Sequence, residues 1–538
     1  MESIKKRSYV SGITTGALGL ALISLAACNS SESTPAAGTP APGGSAGLSG
    51  PMAFVNNTGD KTLTAVAVKG DSGNAVVSTI EAAKFENVAL GDMQFSEGEW
   101  VFLNLGAANK VATIDPLTGA TPIHEANLVT GTRPVHIYRD ATDGEVIWSM
   151  NDGDNAGGTA TSGDDLINCN NATRPGGPIT GGSVTILHNS HLGPGGHPPT
   201  VEKTVCILAD GHKVTAFSSG AGVPKQAFVS SEGGGEIAVI DNEPGSPTKW
   251  TMTHRIDLCK SSKEATQSAP ATCNPENPTG ATAFTPNNAG PHGIRWSKLT
   301  QKVYSISEGY GEIVEIDPTT LAITRTFDLA GTPYTGYGIT PDGRFLLLRG
   351  ETSAPAQATK LGVLDLSVNP AVRTDFTIAE LDGTSPGSFK FSPDGNRLYF
   401  LAGNAVTSTK KDRLFAFDAS TLSATSPALT LIKEIILNPG GDRAGFDGGH
   451  GIDVLVQGAG EAKYIAVSNR IGNSLSIINA TDNLIKETVP VGAAPGAVLV
   501  YYPDAASTGN QATSSLTGGS KAKPSALPER LDDHGMPQ

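Results

Sequence analysis

Amphipathic helices are missing from this 538-residue chain, because no long stretch repeats its apolar residues every 3.6 positions. A GxSxG elbow, a Walker phosphate loop and a dinucleotide fingerprint are also missing from any suitable setting. Nucleophilic hydrolysis and nucleotide chemistry therefore have no support. Cys-x-x-Cys does not occur, which argues against a thiolate metal site, and without Cys-x-x-Cys-His the usual covalent c-type haem is excluded. Positive charge is scarce: 38 Lys and Arg face 52 Asp and Glu, a formal charge of −14. Such a chain is repelled by nucleic acid and by anionic lipid surfaces, and suits soluble cationic partners.

What the chain does have is glycine (65), proline (35) and short runs rich in Val and Ile. That balance specifies short strands joined by tight turns, an all-β protein. At the N-terminus, MESIKKRSYVSGITTGALGLALISLAAC joins a basic head at Lys5, Lys6 and Arg7 to an apolar segment too short for an ordinary membrane span. Leu25-Ala26-Ala27-Cys28 resembles the lipobox of bacterial lipoproteins. The resemblance implies that residues 1–27 are a signal peptide and that Cys28 carries the lipid holding the chain to a membrane of the cell envelope. Asn29, where aspartate would favour inner-membrane retention, points to the outer membrane. Loss of residues 1–27, which carry Glu2 and three basic residues, takes the formal charge from −14 to −16. Residues 28–50 read as a flexible tether, 51–503 as the globular body and 504–538 as a polar, disordered tail. With Cys28 lipidated, Cys169, Cys206, Cys259 and Cys273 remain for two disulfides in an oxidising compartment, with three connectivities open. The expected pairs are Cys259 with Cys273 and Cys169 with Cys206.

Self-similarity at 40 to 50 residues decides the fold. The clearest units begin at His212, His292, Tyr337, Ser388 and His450, as in HGIRWSKLTQKVYSISEGYGEIVEIDP from His292. Each reads as an inner strand, a turn such as Pro341-Asp342-Gly343 or Pro393-Asp394-Gly395, a second strand, a Gly- or Asn-containing turn, a third strand often ending in Ile-Asp, and a fourth. Four antiparallel strands per unit make a propeller blade. Two more units lie upstream, at EWVFLNLGAANKVATIDPLTGATPI and from PVHIYRDATDGEVIWSM to GGSVTILHN. MAFVNN, TLTAVAV and VVSTI supply three strands and APGAVLVYYP one, so the chain's two ends are expected to share a blade and close the ring. The count is eight blades, with seven as the alternative. With their PDG turns, "YV-N" second strands and "V-ID" third strands, these units resemble the YVTN, or surface-layer, propeller repeat family over about residues 51–503. The resemblance implies a fold and little about function, since propellers host many chemistries.

Aligning the inner strands puts His136 (PVHI), His212 (DGHK), His292 (PHGI) and His450 (GHGI) at one register, at one mouth of the channel, with Tyr337, Ser388 and Gly496 at the matching place in other blades. His136, His212 and His292 come from consecutive blades, and His450 enters from the far side. Imidazole suits zinc and copper, and three ring nitrogens leave a position open on the ion. Glu232 and Glu308, alike at the ends of second strands, are expected to accept hydrogen bonds from the rings, and Asp447 and Asp453 to serve His450. In the competing reading each histidine bonds a neighbouring blade's backbone. His188, His191 and His197 in HNSHLGPGGHPP lie on the opposite face and match no rigid ligand pattern. Asp152, Asp154, Asp164 and Asp165 in NDGDNAGGTATSGDD read as a solvated loop, because the glutamate of an EF-hand is lacking. Long insertions at 153–182 and 258–290 open on the histidine face and suggest a lid or a docking surface for a protein partner.

Taken together, these features lead to a lipid-anchored extracytoplasmic propeller that binds zinc or copper through His136, His212, His292 and His450, for metal carriage or redox work. The arrangement resembles, in architecture and without a quotable motif, periplasmic zinc-chaperone propellers and the copper-bearing propeller of nitrous oxide reductase. The alternatives are a non-catalytic envelope scaffold and a noncovalent haem carrier like the eight-bladed propeller of dissimilatory nitrite reductase. A lactonase resembles the chain in fold class only, and no nucleic-acid partner is expected.

Overall fold

The computed structural model describes residues 50–501 apart from 97–99, 117–120, 154–172, 175–176, 179–181, 190–197, 208–210, 274–286, 354–356, 405–411, 424–425, 438–450 and 458–459. Eight four-stranded antiparallel sheets surround a common axis, an eight-bladed β-propeller. From the axis outward, blade 1 runs Met93–Phe95, Val101–Leu105, Lys110–Asp115 and Ile123–Val129, and blade 2 runs Pro134–Arg139, Val146–Asn151, Ser183–His188 and Thr200–Cys206. Blade 3 runs Lys213–Phe217, Gln226–Ser231, Glu236–Asp241 and Met252–Asp257, and blade 4 runs Pro291–Ser297, Lys302–Ser307, Glu312–Ile316 and Ile323–Asp328. Blades 5, 6 and 7 fall within 334–376, 384–436 and 452–490.

Blade 8 closes the ring as the repeat pattern requires. Its innermost strand is the C-terminal Pro495–Tyr501, and Met52–Asn57, Thr62–Ala67 and Ala75–Ile80 follow outward. Phe54 sits opposite Leu499 and Val55 opposite Val498. Closure leaves neither terminal strand as a free inner edge. Asn56, buried at the seam, accepts from Gly496 N–H at 3.0 Å and donates to the Gly91 carbonyl at 2.6 Å.

The recurring sequence signals have local causes. Aspartates or asparagine at the ends of third strands turn the chain toward the outer strand by accepting from backbone N–H groups two residues on. Asp241 takes Glu243 N–H, Asp317 takes Thr319 N–H, Asp365 takes Ser367 N–H, Asp418 takes Ser420 N–H and Asn479 takes Thr481 N–H. In the Pro341-Asp342-Gly343 turn, Gly343 has φ +78°, and a Cβ there would stand 2.9 Å from Lys298 N. Glycine is required both by conformation and by the close approach of blade 4.

Between blades the core is apolar. The largest buried cluster joins Tyr138, Trp148 and Val184 of blade 2, Phe217, Phe228 and Val239 of blade 3, and Ile294, Trp296 and Val303 of blade 4. It packs together the three blades that carry His136, His212 and His292. No helix among the described residues is long and apolar enough to cross a membrane, and the signal, lipobox and tail segments lie outside those residues.

Candidate metal centre

His136, His212 and His292 converge at one mouth of the channel. The His136 and His212 ring centroids are 4.5 Å apart, and those of His212 and His292 4.9 Å. His136 Nε2 and His212 Nε2 stand 2.8 Å apart.

The three residues do not share one register, as strand alignment alone implies. His212 precedes its strand, and its carbonyl accepts from Glu232 N–H, the position that the Arg133 carbonyl holds toward Asp152 N–H and the Gly290 carbonyl toward Glu308 N–H. His136 lies three residues further along than Arg133, and His292 two further than Gly290. Irregular pairing between Pro134 and His136, and between Pro291 and Ile294, absorbs the offset and re-aims both side chains toward His212.

A carboxylate stands behind each ring. His136 Nδ1 donates to Asp92 Oδ2, His212 Nδ1 donates to Asp152 Oδ2 at 2.8 Å, and His292 Nδ1 donates to Glu308 Oε1 at 3.0 Å. An ionised carboxylate only accepts, so the proton on each of these bonds belongs to Nδ1 and Nε2 is left for another partner. Glu308 occupies the place expected of it. Glu232 does not: its side chain is exposed, and Asp152 of the preceding blade takes the His212 ring. Asp152 also accepts Lys213 N–H at 3.1 Å and is buried, so it belongs to this site and not to a solvated loop. Asp92 and Asp152 are the residues that reading the sequence missed. The available signal for Asp152 was its register, since it follows a second strand in blade 2 as Glu308 does in blade 4; for Asp92 there was none.

Exposure rises across the trio, with side chains 7% exposed at His136, 23% at His212 and 43% at His292. Burial pushes the His212 pKa below the usual imidazole value of 6.5, the neighbouring His136 and His292 push the same way, and Asp152 opposes them. A neutral His212 is the form that ligates a metal.

Among the described residues, no group of three or more His, Cys, Asp or Glu is arranged to hold an ion as it stands. His136 and His212 are close enough to hydrogen-bond directly. A tetrahedral ion with bonds of about 2.0–2.1 Å holds its nitrogens about 3.3 Å apart, so the pair must open by about half an ångström. The chemistry of the donors fits zinc or copper, with imidazole nitrogens each backed by a carboxylate.

Other expected residues fall elsewhere. His450 and Asp447 lie outside the described residues, as do His191, His197, Asp154, Asp164, Asp165, Cys28 and Cys169. Asp453 accepts from Val454 N–H at 2.9 Å and from Val500 N–H at 2.7 Å, which ties blade 7 to blade 8. His188, at the opposite face, bonds the Asn189 carbonyl at 2.9 Å. Cys259 and Cys273 form a disulfide as expected, and Cys206 is disulfide-bonded.

Fold and site together define a β-propeller with an imidazole cluster at its channel mouth. No protein-family model and no curated protein sequence matches the chain. Solved structures match it in fold. The dihydro-haem d1 dehydrogenase NirN in complex with DHE is 12% identical, with a TM-score of 0.51 over 83% of this chain and 74% of that one. AztD from Citrobacter koseri is 11% identical, with a TM-score of 0.49 over 85% and 98%. The periplasmic gluconolactonase of Pseudomonas aeruginosa is 14% identical, with a TM-score of 0.45 over 85% and 100%.

Proposed function

We propose that the protein is an envelope-located β-propeller that binds a transition metal, zinc or copper, at the channel mouth through His136, His212 and His292, with His450 as a further ligand from the far side. The convergence of three imidazoles, each with Nδ1 committed to a carboxylate, carries this reading. Bound there, the metal supplies an open coordination position for carriage or redox work. Lipidation at Cys28, attachment to the outer membrane, kinship with YVTN-type repeats and a protein partner at the same face complete the proposal. Metal analysis of purified protein tests it: wild type is expected to retain about one ion, and His212→Ala and His292→Ala to lose it. Equal metal content in all three, or none in wild type, rejects it and leaves an anchored scaffold.

A noncovalent haem is the second reading, favoured by the 43% exposed His292 ring at the mouth, open to an axial contact. Protein from its native host would then show a Soret band that His292→Ala loses, and absence of the band removes this option.

A further inference from the structure

Glu264 lies in the insertion that follows blade 3, on the short helix Ser261–Glu264, and is buried. Its carboxylate accepts four hydrogen bonds: from Tyr310 Oη at 2.5 Å, Asn288 N at 2.7 Å, Asn288 Nδ2 at 2.7 Å and Ala271 N at 2.6 Å. Those donors hold the carboxyl group below its ordinary pKa although burial opposes them. Around this bond the insertion grips the turn Glu308–Tyr310 of blade 4. Lys263 Nζ donates to the Tyr310 carbonyl at 3.1 Å, and Gln267 Nε2 donates to the Gly309 carbonyl at 3.0 Å. Lys260 and Lys263 also pair with Glu312, just beyond the turn. The Cys259–Cys273 disulfide closes the gripping segment.

The gripped turn begins with Glu308, the acceptor of His292 Nδ1. His292 is the most exposed of the three imidazoles. We infer that the segment Cys259–Cys273 is a disulfide-closed clasp that sets the metal affinity of the site by fixing Glu308, with Glu264 and Tyr310 as positioning residues for His292. This inference rests on the metal reading above. With the clasp closed, Glu308 keeps the His292 proton on Nδ1 and its Nε2 toward the channel. With the clasp loosened by reduction, the turn loses the three side chains that anchor it, Glu264, Lys263 and Gln267, and the ring loses its fixed orientation.

The test combines zinc competition against a chromophoric chelator with nitrogen-15 NMR of the His292 ring in zinc-free protein. Wild type, Glu264→Gln, Tyr310→Phe and the double variant Cys259→Ser/Cys273→Ser are compared, each also in a His292→Ala background, with thermal unfolding as the folding check. Loss of a residue that orients a ligand lowers affinity about 10- to 100-fold, and Glu264→Gln is expected to lower zinc affinity about tenfold with His292 present. In the His292→Ala background it is expected to leave unchanged the weak residual binding that His136 and His212 give, read by the same chelator competition and too weak to survive purification. The His292 ring in the variant is expected to lose its single Nδ1-protonated form. An equal loss in both backgrounds shows general destabilisation and overturns the inference, as does unchanged affinity in every folded variant. If wild type binds no zinc, the metal reading fails on its own, and the NMR comparison still decides whether the clasp orients the ring: an unaltered ring in Glu264→Gln overturns it. If the double cysteine variant does not fold, Glu264→Gln and Tyr310→Phe carry the test.

Discussion

His136 Nε2 and His212 Nε2 face each other at 2.8 Å while the Nδ1 of each ring donates to its own aspartate, Asp92 and Asp152. That separation is shorter than the about 3.3 Å between nitrogens around a tetrahedral ion, so the pair must open to admit a metal. Residues 76 apart in sequence reach this contact because neighbouring blades bring the heads of their inner strands to one channel mouth.

The carboxylates behind the rings differ in consequence. Asp152→Asn is expected to weaken zinc binding about 10- to 100-fold, the usual cost of losing a group that orients a metal-bound histidine. Glu232→Gln, at the matching position of the next blade but exposed, is expected to leave affinity unchanged, because Asp152 already takes the His212 Nδ1 proton. Isothermal titration of both variants measures the contrast, and equal losses would remove the assignment of Asp152.

Acid is expected to destabilise the metal-free protein through His212. Burial lowers its folded pKa below the 6.5 of the unfolded chain, so between those values the unfolded state binds the proton first. The contribution is flat above pH 6.5, and stability falls as pH drops from there through the folded pKa. Melting temperatures in EDTA from pH 8 to 5 should fall more steeply for wild type than for His212→Asn, and parallel curves would contradict this.

Ring closure depends on Asn56, which joins the C-terminal strand at Gly496 to the segment before blade 1 at Gly91. Asn56→Ala strands a buried N–H and a carbonyl, a cost of about 1–3 kcal/mol for each group left unpaired. Denaturant unfolding reads this as a lower midpoint. A loss below about 0.5 kcal/mol would mean that strand pairing alone closes the ring.

Within blade 3, Arg255 and Glu236 form a buried ion pair, 2% and 1% exposed. Glu236→Ala is expected to cost about 3–5 kcal/mol by leaving a buried cation uncompensated, whereas replacing both with apolar residues of similar volume is expected to be far milder. Thermal unfolding of the single and double variants distinguishes the pair's net worth from the cost of breaking it.

The blade pattern was legible because its signals are local: glycines that the turns require, such as Gly343, and strand-ending aspartates that make their own turns, such as Asp317. The meeting of His136, His212 and His292 was legible for the same reason, since each heads an inner strand. Their carboxylates were not. Asp152 reaches across to the ring of the next blade, and Asp92 lies before a strand of three residues, so interblade geometry and not repeat register decides which acid meets which ring. Irregular pairing at Pro134 and Pro291 shifts side chains by a residue or two in a way no periodicity reports.

The most direct measurement is anomalous diffraction at the zinc edge from a crystal of the full chain grown with zinc. The account predicts a single strong peak at the channel mouth, within bonding distance of the Nε2 atoms of His136, His212 and His292, with Asp92, Asp152 and Glu308 still on the Nδ1 side. No peak there, or one bound only at the opposite face near His188, would contradict it.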